Sequence, residues 1–167
     1  YIPVGHDYEG APKQLDRDEV LKKLKPIIEK TPLIGQHLKF DRNVLANYDI
    51  HLNVIENDTM LMSYVYDPTA TRHNLDAMAS HYLNVKTTTF EDVAGKGVKQ
   101  LTFNQIPLEK ASDYAAEDAD ITFRCYSHLK PALAKTPSLE KVLHEIELPL
   151  VPVLSDMEQA GTLVNEE

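Results

Sequence analysis

Apolar residues recur at helical spacing through much of the chain, and short β-prone runs stand between the helical segments. Val20, Leu21, Leu24, Ile27 and Ile28 form one stripe, which predicts a helix from just after Asp16 and Asp18 to about Lys30. Thr31-Pro32 ends it, and Leu33-Ile34 before Gly35 reads as a short strand. A second helical pattern covers His37–Tyr48, with Leu38, Asp41, Leu45 and Tyr48 on its stripe. Leu52–Glu56 reads as another strand, and Asp58 as the N-cap of a helix over Thr59–Tyr66. Asp67-Pro68 closes that segment, and Asn74–Leu83 is the next helix, with His73 and His81 as surface or cap residues rather than ligands. Leu108–Leu133 predicts a long helix, and past the Pro137 break Ser138–Gln159 predicts a last one, stopped by Gly161. At the start, Tyr1–Val4 reads as a strand kept off a central position by Pro3. Lys86–Leu101, with Phe90, Gly95, Lys96, Gly97 and Lys99, predicts a long, flexible, locally basic loop whose Gly-Lys-Gly is too short for a phosphate-binding loop. Strands alternating with helices indicate an α/β sheet domain, and the helix after Pro137 is a candidate for a neighbouring domain.

Two carboxylates break the pattern. Ala111, Tyr114, Asp118, Ile121 and Cys125 share one stripe of their helix, while Asp113, Glu117, Asp120 and Arg124 face elsewhere. Asp118 therefore stands where a helix buries apolar atoms, and Asp41 repeats the anomaly between Leu38 and Leu45. A carboxylate on a packed stripe is costly unless a cation or a set of donors meets it. Asp118 reads either as a metal ligand, with Tyr114 one turn earlier orienting a water, or as a partly exposed acid on a narrower stripe. Asp41 and Asp118 lie 77 positions apart, so only tertiary packing can join them. Joined without a cation they repel and one has its pKa raised; with a divalent cation between them both stay charged, and no Lys or Arg shares either stripe. Hard oxygen donors, with no Cys or His at metal spacing, argue for Mg²⁺ or Mn²⁺ and against zinc. Such an ion suits phosphodiester cleavage, in which two metals about 3.5–4 Å apart activate a water and stabilise the leaving oxygen. Two Asp side chains are too few for that, so the residues alone reach a partial metal site.

Composition narrows the partners. The 167 residues are 43% apolar, enough for one ordinary core, and no apolar run approaches the roughly 20 residues of a membrane span. Seventeen Lys and Arg against 26 Asp and Glu give a net charge of −9, which opposes non-specific nucleic-acid binding unless carboxylate-held cations reverse the local field. The lone Cys125 reads as a small core hydrophobe in a reducing compartment, with the cytoplasm as the default. The chain begins at Tyr1 rather than Met, with no leader visible, and is expected to be a piece of something longer.

Gly35–Tyr48 (GQHLKFDRNVLANY), Asp58–Leu61 (DTML), Thr89–Gly97 (TFEDVAGKG), Gln100–Ile106 (QLTFNQI) and Tyr114–Asp120 (YAAEDAD) together resemble the 3′→5′ proofreading exonuclease domain of bacterial DNA polymerase I. That family belongs to the DEDD exonucleases of ribonuclease H-like fold, in the branch whose third motif is Tyr-x-x-x-Asp, matched by Tyr114 and Asp118. The resemblance implies a ribonuclease H-like mixed sheet flanked by helices. It implies Asp41 and Asp118 as ligands of Mg²⁺ or Mn²⁺, and Tyr114 as the residue that positions the attacking water. It implies His37, Phe40, Arg72 and Phe90 as contacts to the single-stranded 3′ end of DNA, although the family has Asn where His37 stands. For Phe90 the residues leave two roles open, stacking on a base or anchoring its loop to the core.

Leu148–Glu167 resembles the segment that enters the polymerase domain, which implies an exonuclease domain over 1–135 and, over 136–167, a linker and first helix toward a polymerase domain of the same chain. The family's first motif, Asp-x-Glu, has no counterpart here. A chain that starts after the first strands is then expected, with the two-ion site incomplete, metal binding weak or absent, no activity from this chain alone, and the Tyr1–Val4 strand exposed as an edge open to self-association. The parent would be a cytoplasmic, nucleoid-associated bacterial enzyme of DNA replication and repair. Two other functions stay in view: a non-catalytic scaffold that supports a polymerase, and an RNA-trimming DEDD exonuclease.

Overall fold

The computed structural model describes residues 1–163, so the end of the polymerase-like segment, residues 164–167, lies outside the described residues. Asp16 accepts from the Glu19 N–H and starts α1 (Arg17–Ile28). It leads into β1 (Leu33–Gly35), which pairs in parallel with β2 (Ile55–Asp58) through Leu33 against Ile55, Ile34 against Asn57 and Gly35 against Asp58. Between the strands runs α2 (Leu38–Ala46), and β2 passes directly into α3 (Thr59–Tyr66). Next come α4 (Leu75–Met78), continued by a π-helical turn over Ala79–Leu83, and α5 (Phe90–Ala94). The long α6 spans Leu108–Leu133. The last helical stretch is α7 (Pro137–Val142), a π-helical turn over Leu143–Glu147, and α8 (Leu148–Ala160), which stops where Gly161 takes φ 71°. The molecule is thus mixed α/β, mostly helical, with a small parallel sheet.

The core gathers on α6. Ile121, Cys125, Leu129 and Leu133 are buried against Met62 and Val65 of α3, Met78 of α4 and Leu143 and Leu148 of the last helical stretch. A second, smaller cluster joins Ala94, Ile106 and Ala111 and packs against Phe90, Val93 and Phe103. At roughly 25 cal/mol per Å² of apolar surface removed from water, such burial holds α6 to α3 and β1, and so sets where the residues along α6 point. Among the described residues no helix is long and apolar enough to cross a membrane.

Several expected elements differ. Tyr1–Val4 is not a strand, because Pro3 lacks a ladder donor and the start of the chain is held by Tyr1 side-chain contacts and a backbone bond at Asp7 instead. The Tyr1 hydroxyl bonds His6 Nε2, the Tyr1 ring meets Phe103 edge-on at 6.0 Å, and the Asp7 N–H donates to the Asn104 carbonyl. With no strand there, the edge expected to support self-association is absent from that segment. The second strand lies at Ile55–Asp58 rather than Leu52–Glu56. Ile50 and Leu52 are buried outside the sheet, so their apolar character marks the core rather than a strand. The stretch Lys86–Leu101 is not one long loop: Thr89 and Asp92 form a capping box that starts α5, and a 3₁₀ turn follows at Gly97–Lys99. His73 is neither a bare surface residue nor a cap. Its Nδ1 lies 2.8 Å from the buried Ser63 hydroxyl and its Nε2 3.1 Å from the Pro68 carbonyl, which satisfies both ring nitrogens within the fold.

Candidate active site

The arrangement of β1, α2 and α6 opens a cleft of about 600 Å³, lined by Ile34, Gly35, Gln36, Leu38, Asp41, Leu75, Asp118, Ala119, Thr122 and Phe123. Asp118 reaches it because α6 buries Ala111 and Ile121 on the same side, one to two turns away on each flank. Asp41 reaches it from the first turn of α2. The two acids that stood out in the pattern therefore line one cleft. Asp118 is half-buried, as its stripe implies, but Asp41 is exposed, which corrects its expected place on a packed stripe. The reason is that α2 buries Leu38 and leaves Phe40 and Asp41 exposed.

Electrostatically the cleft is short of positive charge. Burial pushes the Asp118 carboxyl up; Tyr114, close enough to interact through its hydroxyl, pulls it down, and the charges of Asp76 and Glu117 push it up again. The protein around the Asp41 carboxyl also raises it, a backbone hydrogen bond opposes this, and the charge of Asp58 adds to the rise. The exposure of Asp41 limits how far desolvation can act there. Burial, followed by the Asp118 charge, pushes Tyr114 up to about 12, so its phenol is neutral at any physiological pH. Neither Asp41 nor Asp118 has a Lys or Arg ion pair among the described residues. Two hard carboxylates in one cleft, each pushed up from the ordinary carboxylate range by its surroundings, are donors suited to a divalent cation. Among the described residues, however, no group of three or more His, Cys, Asp or Glu is arranged to hold a metal.

A family model described as 3′-5′ exonuclease matches residues 1–134. The chain belongs to this 3′-5′ exonuclease family. DNA polymerase I of Pseudomonas aeruginosa is 54% identical over 169 residues, covering 99% of this chain and 18% of the relative. DNA polymerase I of Rhizobium leguminosarum is 36% identical over the whole chain and 17% of its own length, and that of Chloroflexus aurantiacus is 36% identical over the whole chain and 18% of its own length. The chain thus spans less than a fifth of the length of these relatives.

In this exonuclease-family chain the other candidate residues form three groups. His37 and Phe40 are both exposed at the start of α2, with nearly parallel rings whose centroids are 6.4 Å apart. His37 adopts the left-handed conformation at φ 60° and caps nothing with its side chain. Phe90, at the first position of α5, is half-buried against the Ala94, Ile106 and Ala111 cluster, and its ring meets that of Tyr114 at 6.2 Å. Phe103 also meets Tyr114, at 6.3 Å, so two aromatic rings pack on the phenol. Arg72 is exposed on the segment before α4 and makes no hydrogen bond or ion pair among the described residues. That segment is tied down one residue later, where Gln36 Nε2 donates to the His73 carbonyl at 2.9 Å.

The sequence pattern missed four participants. Asp76, which accepts from the Thr87 hydroxyl, and Glu117, which accepts from the Thr88 N–H, both act on Asp118, although Glu117 follows the solvent side of the helical wheel. Phe123 lines the cleft while 60% exposed, and a large aromatic placed off its helix's buried stripe is the signal that could have found it. Asp58 caps α3 as expected by accepting from the Met60 N–H, but it also accepts from His37 and Leu38, a tertiary role that local spacing does not carry.

Proposed function

We propose that the cleft is a 3′→5′ exonuclease site that takes the single-stranded 3′ end of DNA, on a ribonuclease H-like framework, and that α8 leads toward a polymerase domain of the same chain. The observation that carries this reading is the presence of Asp41 and Asp118 in one cleft, from helices far apart in sequence and, among the described residues, without a Lys or Arg ion pair. Asp41 and Asp118 would each hold Mg²⁺ or Mn²⁺ through one carboxylate. When bound, the metal supplies a water of lowered pKa and charge stabilisation at the scissile phosphodiester. Tyr114, neutral and packed against Phe90 and Phe103, orients the attacking water through its hydroxyl. The exposed pair His37 and Phe40 offers aromatic faces to the terminal bases, Arg72 offers its exposed guanidinium to a phosphate, and Phe90 stands beside Tyr114 to stack on the end of the strand.

One observation favours a second reading, a non-catalytic scaffold: two carboxylates fall below the cluster needed to enclose a metal. They leave most of an octahedral shell to water, so metal binding by this chain is weak under the first reading and absent under the second. Titration with MnCl₂ followed by electron paramagnetic resonance separates the two. The exonuclease reading expects a saturable site that is lost in both Asp118→Asn and Asp41→Asn. Absence of a saturable site, or a site unchanged by both substitutions, overturns it and leaves the scaffold.

A further inference from the structure

We propose that Asp58 is a positioning residue for this site: its buried carboxylate holds the first turn of α2, and so sets where Asp41 and Phe40 stand against the cleft. The inference rests on the metal reading of Asp41 above. Asp58 is 1% exposed and lies at the junction of β2 and α3. Its Oδ1 accepts from the His37 N–H at 3.0 Å and from the Met60 N–H at 3.0 Å, and its Oδ2 accepts from the Leu38 N–H at 2.7 Å. One carboxylate therefore serves the N-termini of two helices.

The α2 end needs such a partner more than most. His37 sits in the left-handed region at φ 60°, where a non-glycine residue is strained, and its own side chain makes no capping bond. The first N–H groups of a helix have no intrahelical acceptor, and here a side chain from another element meets them. Leu38, whose N–H takes the shortest of these bonds, is buried and lines the cleft, and Asp41 follows it by three residues, almost one turn. A shift of the His37–Leu38 turn is thus carried directly to the Asp41 carboxyl. A charged acceptor also suits the positive end of α2, which a neutral cap meets less strongly. A local N-cap for α3 requires a single acceptor; the second oxygen and the long-range bonds have no local purpose.

Two substitutions separate the bridge from the ordinary cap. Asp58→Ser keeps a good N-cap for Met60 but is one atom short of spanning both helices. Asp58→Asn keeps the shape, yet in either amide orientation it turns an NH₂ toward a backbone N–H. Amide hydrogen exchange and MnCl₂ titration are measured on the 167-residue chain, with Leu129→Ala, a core substitution on α6, as the control for general destabilisation. In Asp58→Ser the His37 and Leu38 amides should exchange about 10-fold faster or more while Met60 stays protected. Both Asp58 variants should weaken Mn²⁺ binding roughly 5-fold or more, and Leu129→Ala should leave it within about 2-fold. Unchanged exchange at His37 and Leu38 overturns the proposal, as does a loss of Mn²⁺ affinity no greater than that in Leu129→Ala. If the unmodified chain binds no Mn²⁺ the metal reading itself fails, and exchange then decides: the proposal stands only if loss of protection extends from His37 to Asp41 and spares Met60.

Discussion

Ser155→Ala tests how firmly α8 is clasped to the helix that carries Asp41. Ser155 is fully buried on α8, and its hydroxyl donates to Asn43 Oδ1, accepts from Gln159 Nε2 at 3.0 Å and accepts from Arg42 Nη1. Arg42 keeps its bond to Asp156 at 2.8 Å, and Asn43 keeps Gln159 at 3.2 Å, so neither partner is wholly orphaned by the substitution. Losing a neutral hydrogen bond costs about 0.5–1.5 kcal/mol and losing one to a charged group about 1.5–3 kcal/mol, and the retained partners bring the sum down to about 2 kcal/mol. Alanine is the better helix former by about 0.5 kcal/mol, which leaves a net loss of about 1.5 kcal/mol. For a chain of this size that is a fall of about 3–6 °C in thermal midpoint. Differential scanning calorimetry reads the midpoint, and a double-mutant cycle with Asn43→Ala reads the coupling, expected at about 0.5 kcal/mol or more because the two side chains are in contact. Ser127→Ala is the control, since among the described residues that exposed hydroxyl bonds only the Phe123 carbonyl one turn back. A midpoint in Ser155→Ala no lower than in Ser127→Ala, or additive energies in the cycle, would refute the clasp.

Phe90→Ala should weaken binding of a fluorescein-labelled single-stranded oligonucleotide by roughly 5- to 150-fold, the range of one lost base stack of about 1–3 kcal/mol. Because Phe90 also packs on Ile106 and Ala111, the midpoint should fall too; a lowered midpoint with unchanged affinity would make Phe90 a core anchor alone. Cys125 is fully buried, and burial pushes its thiol up to about 11, so at pH 8 it is protonated in the folded chain. Iodoacetamide at pH 8 should leave it unmodified in the native protein and alkylate it in about 6 M guanidinium chloride, as mass spectrometry would report; fast native alkylation would contradict the packing of α6.

Local pattern sufficed wherever one element's own periodicity or end chemistry decides the outcome. The 26-residue α6 could be read from its stripe, Asp58 from its capping position, and Gly161 from the stop it makes. The anomaly of Asp118 was visible as well, because an acid on a stripe with Ile121 and Cys125 conflicts with apolar burial within a single helix. Family membership was legible from ordered motifs spread over nearly the whole chain. Tertiary structure decided what no window of sequence contains. Tyr1–Val4 is β-prone but has no ladder partner among the described residues, and its aromatic packing on Phe103 settles its conformation. Ile50 and Leu52 are as apolar as strand residues, yet core burial rather than pairing uses them. Asp41 matched Asp118 in pattern and differs in exposure, because a helical wheel records which residues share a face and not what covers that face. The second oxygen of Asp58, the charge of Asp76 felt by Asp118 and the place of Asp41 and Asp118 in one cleft all depend on how β2, α2, α4 and α6 are packed together. Side-chain reach is a few ångströms, and only packing brings groups from distant parts of the chain within it.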